Sequence, residues 1–154
     1  EGFKKDELVY GFGGVANSIP IVNADFKFPL LTFNWEHFLT EYQRDAFKRS
    51  IDVGAFLFNG IAPAPYAQYN WYLGGFPFYF KTGVGFVAEL ILGGHIAAYV
   101  HMGLEVKEKY EFGFILSLFG TQPGVSYVDF KSKPGDAKYV EIRYPYAAVT
   151  LKYK

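Results

Sequence analysis

The alternation of residues 76–90 leaves this chain few folds. Phe76, Phe78, Phe80, Thr82, Val84, Phe86, Ala88 and Leu90 share one parity, while Pro77, Tyr79, Lys81, Gly83, Gly85, Val87 and Glu89 share the other. Residues 95–107 repeat the pattern. There Ile96, Ala98, Val100, Met102, Leu104 and Val106 stand against His95, Ala97, Tyr99, His101, Gly103, Glu105 and Lys107. A period of two marks a β-strand, whose successive side chains point to opposite sides of the pleat. Gly93–Gly94 reads as the hairpin turn between the two runs. A hairpin centred there sets Lys81 across from Glu105, either as a surface ion pair or as a pair inside a barrel.

Other segments alternate less cleanly. Residues 21–30 set Val22, Ala24, Phe26, Phe28 and Leu30 against Asn23, Asp25 and Lys27, and residues 50–58 set Ile51, Val53, Ala55 and Leu57 against Ser50, Asp52 and Gly54. Residues 65–73 alternate up to Gly74–Gly75. Tyr110 to Leu118 and Ala147 to Tyr153 each carry one apolar face, and Lys133-Pro134-Gly135-Asp136 marks a turn between 125–131 and 138–153. The candidates number nine or ten. Taking 8–18 with 21–30, or 110–119 with 125–131, as interrupted single strands brings them to about eight. One segment breaks the period: Trp35, Phe38, Leu39, Tyr42, Ala46 and Phe47 recur at helical spacing, with Asn34 as N-cap. A short amphipathic helix over 34–48 is expected, packed on a barrel mouth or lying in a membrane interface.

Charge decides what surrounds these strands. The 154 residues carry 15 Lys plus Arg and 15 Asp plus Glu, so no basic excess exists to neutralise phosphates, and nucleic acid is not an expected partner. Residues 50–106 hold only Asp52, Lys81, Glu89 and Glu105. A soluble domain of this size shows water a charged face along nearly every element. A helical span over 82–104 has the length a bilayer needs, but Glu89, His95, His101 and the central glycines oppose it. The less apolar strand face is Gly, Ala, Tyr, His, Asn and Gln with isolated charges, which suits a narrow, crowded interior. The other face is Phe, Val, Leu and Ile, as lipid contact requires, with Tyr and Trp frequent near strand ends. In lipid, a closed barrel satisfies the backbone groups of every strand. The expected fold is therefore all-β: one domain over 1–154, a closed antiparallel up-and-down barrel of about eight strands. Asp52, Lys81, Glu89, His95, Tyr99, His101 and Glu105 form its polar lumen. Phe78, Phe80, Val84, Phe86, Leu90, Ile96, Val100, Met102 and Leu104 face lipid.

In this pattern and composition, over most of residues 8–153, the chain resembles the small bacterial outer-membrane β-barrels. The resemblance implies a cell-envelope location in the outer membrane, with membrane lipid or detergent as the partner and a secretory signal removed before Glu1. The expected role is structural, surface-interacting or narrowly conducting, without catalysis. A soluble barrel enclosing an apolar ligand is the alternative, with the phenylalanine face turned inward and 34–48 as a lid. A lipid-modifying barrel enzyme is third.

Specific chemistry is sparse. Gly11-Phe12-Gly13-Gly14-Val15-Ala16 and Gly83-Val84-Gly85-Phe86-Val87-Ala88 match a loose dinucleotide fingerprint, but neither precedes a helix pattern. His95 and His101 share a face roughly 20 Å apart on one strand at ~3.3 Å per residue, too far to chelate one ion. A Ser–His–acid relay is conceivable from His101, Ser117 and Glu105 on neighbouring strands. With no Cys, thiol chemistry is excluded. No cofactor or metal is expected.

Overall fold

The computed structural model describes residues 6–16, 27–39, 48–58, 60, 62–75, 77–89, 95–120, 125–129, 138–142 and 146–154. Eight strands close into an antiparallel barrel: β1 (Asp6–Ala16), β2 (Lys27–Phe38), β3 (Lys48–Phe58), β4 (Ala62–Gly75), β5 (Phe78–Glu89), β6 (His95–Val106), β7 (Tyr110–Gly120) and β10 (Tyr146–Tyr153). The other two, β8 (Val125–Asp129) and β9 (Lys138–Ile142), pair with each other as a separate two-stranded sheet. Barrel neighbours are consecutive in the chain except at β7–β10, where β8 and β9 intervene, and at β1–β10, which closes the circle. Closure leaves no open sheet edge.

Eight is the expected number, reached differently from expectation. Neither proposed merger occurs: β1 and β2 are separate paired strands, and β7 stays in the barrel while β8 leaves it. The run 138–153 is likewise two strands, β9 and β10. The helix expected at 34–48 is not present in its described part, because Asn34–Phe38 completes β2 and Lys48 opens β3. Residues 40–47 lie outside the described residues. The helical spacing of Trp35 and Phe38 arises because they sit on opposite faces: Trp35 points out, and Phe38 turns into the barrel mouth. Within β2, two strand faces together imitate the start of a helical stripe.

Face assignment follows the alternation. On β5, Phe78, Phe80, Val84 and Phe86 point outward, while Tyr79, Lys81, Gly83, Gly85 and Val87 point into the lumen. The β5–β6 register differs from expectation by one two-residue step. Lys81 faces Gly103, and Tyr79 faces Glu105. A slip of two keeps every side chain on its face, so the hydrophobic pattern cannot resist it. Gly93–Gly94 and Leu90 lie outside the described residues. On β2 the parity flips: Val15 faces Lys27 but Gly13 faces Leu30, and this bulge turns Phe28 out and Leu30 in although alternation set them together.

The barrel is narrow because glycine lines it. A side chain on Gly13 would strike the Val149 carbonyl and the Thr150 backbone across the β1–β10 pair, and one on Gly85 would strike the Tyr99 ring. At the β6–β7 turn, Lys107 and Glu108 both hold left-handed backbone, with φ of 55° and 58°. The paired left-handed residues make a tight connection. Gly13→Ala is expected to destabilise the barrel by about 2 kcal/mol, because its neighbours are backbone atoms that cannot rotate away. Urea unfolding of the refolded protein measures it, with an unchanged midpoint contradicting the packing described.

Candidate functional site

The barrel has two unlike ends. The proximal end carries the start of β1 and the finish of β10, with short connections after β4 and β6. The proximal end also holds the longer segment between β2 and β3, and the distal end carries the connection that holds β8 and β9. Inward side chains change character between them. Phe38, Tyr72 and Tyr79 form a small cluster at the proximal mouth. Charged and amide groups fill the middle. Leu30, Phe56, Phe58, Val87, Tyr99, Ile115, Tyr146 and Ala148 line a small apolar pocket toward the distal end.

Register alone makes the middle unfavourable. Glu7 lies directly opposite Glu36, Glu36 opposite Asp52, and Glu105 opposite Glu111. Like charges facing each other across strands repel, and all but Glu7 are buried. Ammonium groups reaching across the lumen reverse this. Lys81, 2% exposed, places its Nζ 3.1 Å from Asp52 Oδ2 and 3.4 Å from both Glu36 Oε2 and Glu111 Oε1. Lys154, one residue beyond β10, places its Nζ 2.8 Å from Glu36 Oε1 and 3.8 Å from Glu7 Oε2, and pairs with Glu105 Oε1. Burial opposes the charge on Lys154, but Glu36, Tyr72 and Glu105 more than offset that and hold its ammonium well above the ordinary lysine range. The two lysines share Glu36, so the acids form one connected network.

Neutral groups extend it. Tyr72 donates its hydroxyl to Glu36 Oε2, as does Ser50 at 2.8 Å. Asn70 Nδ2 donates to Ser50 Oγ at 3.1 Å and to Asp52 Oδ2 at 3.0 Å, and Gln68 Nε2 donates to Asn70 Oδ1 at 2.6 Å. Tyr99 closes the chain by donating to Gln68 Oε1 at 2.9 Å. Lys152 is also buried, but its Nζ has no hydrogen-bond partner and lies 5.7 Å from the Tyr66 ring centroid.

Of the residues assigned to the lumen by alternation, Asp52, Lys81, Tyr99, His101 and Glu105 point inward and are buried. Glu89 and His95 face each other in register near the distal end, and their side chains lie outside what the structure describes. The expected Lys81–Glu105 pair does not form: Lys81 serves Asp52, Glu36 and Glu111, and Glu105 goes to Lys154. The relay suggested for His101, Ser117 and Glu105 does not assemble either. His101 sits 3.7 Å from Glu111 Oε1, neither of its ring nitrogens nor Ser117 Oγ has a hydrogen-bond partner, and Ser117 is in register with Tyr99. Among the described residues no group of three His, Asp or Glu could hold a metal ion. Both glycine fingerprints lie within strands, β1 and β5.

Alternation missed half of this site. Glu36 was absorbed into the supposed helix. Glu111, Lys152 and Lys154 sit opposite recognised apolar faces, so the same parity test applied to 110–118 and 147–153 identifies them.

The exterior is the complement. Phe86 is 64% exposed and Phe112 59%, and Phe78, Phe80, Val84, Ile96, Met102 and Leu104 are all exposed, with Val100 partly so. Outward charges among the described barrel strands stand near their ends, as with Asp6, whose carboxylate bonds His37 at 2.7 Å, and Arg49. Outward tyrosines and tryptophans gather toward the proximal end: Tyr69 packs edge-on to Trp71 at 4.8 Å, and Tyr110 lies against Tyr153 at 5.6 Å. Trp35 stacks on His37, and Tyr10 leans on Phe33.

Replacing Lys81 by Met strands Asp52 and Glu111 with their charges uncompensated. Breaking one side of a buried ionic cluster costs about 3–5 kcal/mol. Unfolding in detergent micelles should therefore show K81M far less stable than K81M/D52N. Equal stability of the two would mean that Lys81 does not hold the acids together.

Comparison with family models, with curated proteins and with solved structures found no match to the chain. What this protein does has to be read from its own geometry.

Proposed function

We propose that the protein is a small integral β-barrel of a bacterial outer membrane. Its lumen is closed by side chains, and its role is structural or surface-interacting. One observation carries this: the polarity of the barrel is inverted relative to a water-soluble domain. Phenylalanine, valine and leucine stand exposed around the outside, while Glu36, Asp52, Lys81, Glu105 and Glu111 are enclosed at the centre. Contiguous apolar surface of this extent marks a face that meets lipid or protein. A closed barrel leaves no strand-edge group to satisfy in hydrocarbon.

The soluble alternative requires the phenylalanine face of β5 to point inward, and that face points outward. The glycine-lined, side-chain-filled interior favours a plugged barrel over a solute channel. The collar of Tyr69, Trp71, Tyr110 and Tyr153 suits an interfacial aromatic girdle.

Val84 stands at the middle of β5, where hydrocarbon is deepest. Val84→Lys should weaken folding into lipid vesicles by about 2–4 kcal/mol, while a lysine at a strand-end position such as Phe78 should cost far less. Folding is followed by the heat-sensitive gel mobility of the native barrel. A detergent-free monodisperse wild type at high concentration, or equal behaviour of the two variants, would remove the membrane reading.

A further inference from the structure

The outer face of the proximal rim carries cations that the protein itself does not use. Arg49, Lys107 and Lys109 are exposed, and their side chains have no ion-pair or hydrogen-bond partner among the described residues. The described acids near them on this rim are engaged. Asp6 meets His37 at 2.7 Å, Glu7 pairs with Lys154 at the mouth, and Glu108 accepts a hydrogen bond from Tyr79 Oη at 2.8 Å. Residues 1–5 and 40–47 lie outside the described part and carry three cations and three acids, so their net charge is nil.

Backbone hydrogen bonds hold both groups of cations beside aromatic rings. Arg49 stands directly opposite Trp71 of β4 on the shared outer face, and its carbonyl accepts from Leu39 N at 2.9 Å. Lys107 and Lys109 belong to the tight β6–β7 turn, where Lys107 N donates to Pro77 O at 2.7 Å and Lys109 N to Val106 O at 3.1 Å. Tyr110 follows at once and lies against Tyr153. Rings of this kind mark the headgroup level of a bilayer. The acceptors at that level are phosphates, which guanidinium and ammonium groups both bind. A zwitterionic headgroup covers its phosphate with its own ammonium, so unspent cations favour lipids of net negative charge.

Position around the circle selects the source of the phosphate. Two strands, β4 and β5, separate β3 from β6, and β2, β1 and β10 separate it from β7 the other way. Arg49 and the two lysines therefore stand on different sides of the rim and cannot close on one soluble anion. A layer of headgroups surrounds the whole rim and reaches both.

We propose that the proximal rim seats the phosphates of anionic phospholipids at two places, Arg49 beside Trp71 and the Lys107–Lys109 turn beside Tyr110. This rests on the membrane reading and adds to it the charge of the lipid that this rim meets.

The chain's two tryptophans supply the reporter. Trp35→Phe leaves Trp71 as the single indole. That variant is folded in phosphatidylcholine vesicles containing either brominated phosphatidylglycerol or brominated phosphatidylcholine, whose bromines quench an adjacent indole. The anionic lipid should match the quenching of the zwitterionic one at about one-fifth of its mole fraction, and added salt should narrow the gap. Arg49→Gln should abolish the preference, while Lys107→Gln with Lys109→Gln should leave it. With Trp35→Phe, Trp71→Phe and Tyr110→Trp combined, the dependence should pass to the two lysines. Each variant is compared with itself in two lipids, so a change in folded fraction does not imitate the result. Equal quenching by both lipids overturns the seats and leaves the membrane reading standing. So does a preference that falls alike whichever cations are removed, which would reduce the effect to net charge. Absence of quenching by either lipid overturns the membrane reading and the seats with it.

Discussion

An ammonium shared among carboxylates on different strands is what allows this barrel to close. The register sets acid against acid at three places on the wall. Lys81 and Lys154 resolve the conflict by acting across the lumen, where curvature brings β2, β3, β5, β6, β7 and the residue after β10 toward one axis. In the low dielectric of a filled barrel such pairs are strong, and so is the penalty for leaving one incomplete. The network therefore specifies which strands may be neighbours as much as it stabilises them. A barrel with one strand displaced brings the wrong acids to the same lysine.

That arrangement explains what the sequence revealed and what it withheld. Alternation is a local property, and it identified the inward and outward faces of β5, β6 and β3 correctly because one face meets the crowded axis throughout. Register is not local in the same sense. A two-residue slip leaves all faces intact, so nothing in residues 76–107 distinguished Lys81 opposite Glu105 from the observed Lys81 opposite Gly103. The true partners of Lys81 come from β2, β3 and β7, and their separation in sequence is set by barrel closure.

The misreadings have similar physical sources. Phe38 breaks the polar-in rule because the proximal mouth is aromatic, and beside the outward Trp35 that inversion gives the end of β2 a helical spacing. Phe28 and Leu30 share a parity but not a face because a bulge intervenes. The strand count was obscured by β8 and β9, which among the described residues pair with each other rather than with the barrel. In each case the local pattern was sound and the tertiary setting changed its meaning.

The interior is also graded along its axis, from an aromatic mouth through a charged middle to an apolar end. Outside, tyrosine and tryptophan crowd one rim, while β5 and β6 carry neither on their outer faces. In a bilayer such a one-sided collar would act as a depth stop. Amphipathic rings would pin the proximal rim at one headgroup layer, leaving the opposite rim to ride higher or lower as thickness varies. Insertion depth would then be referenced from the proximal rim, and any change in lipid length would be absorbed at the distal one.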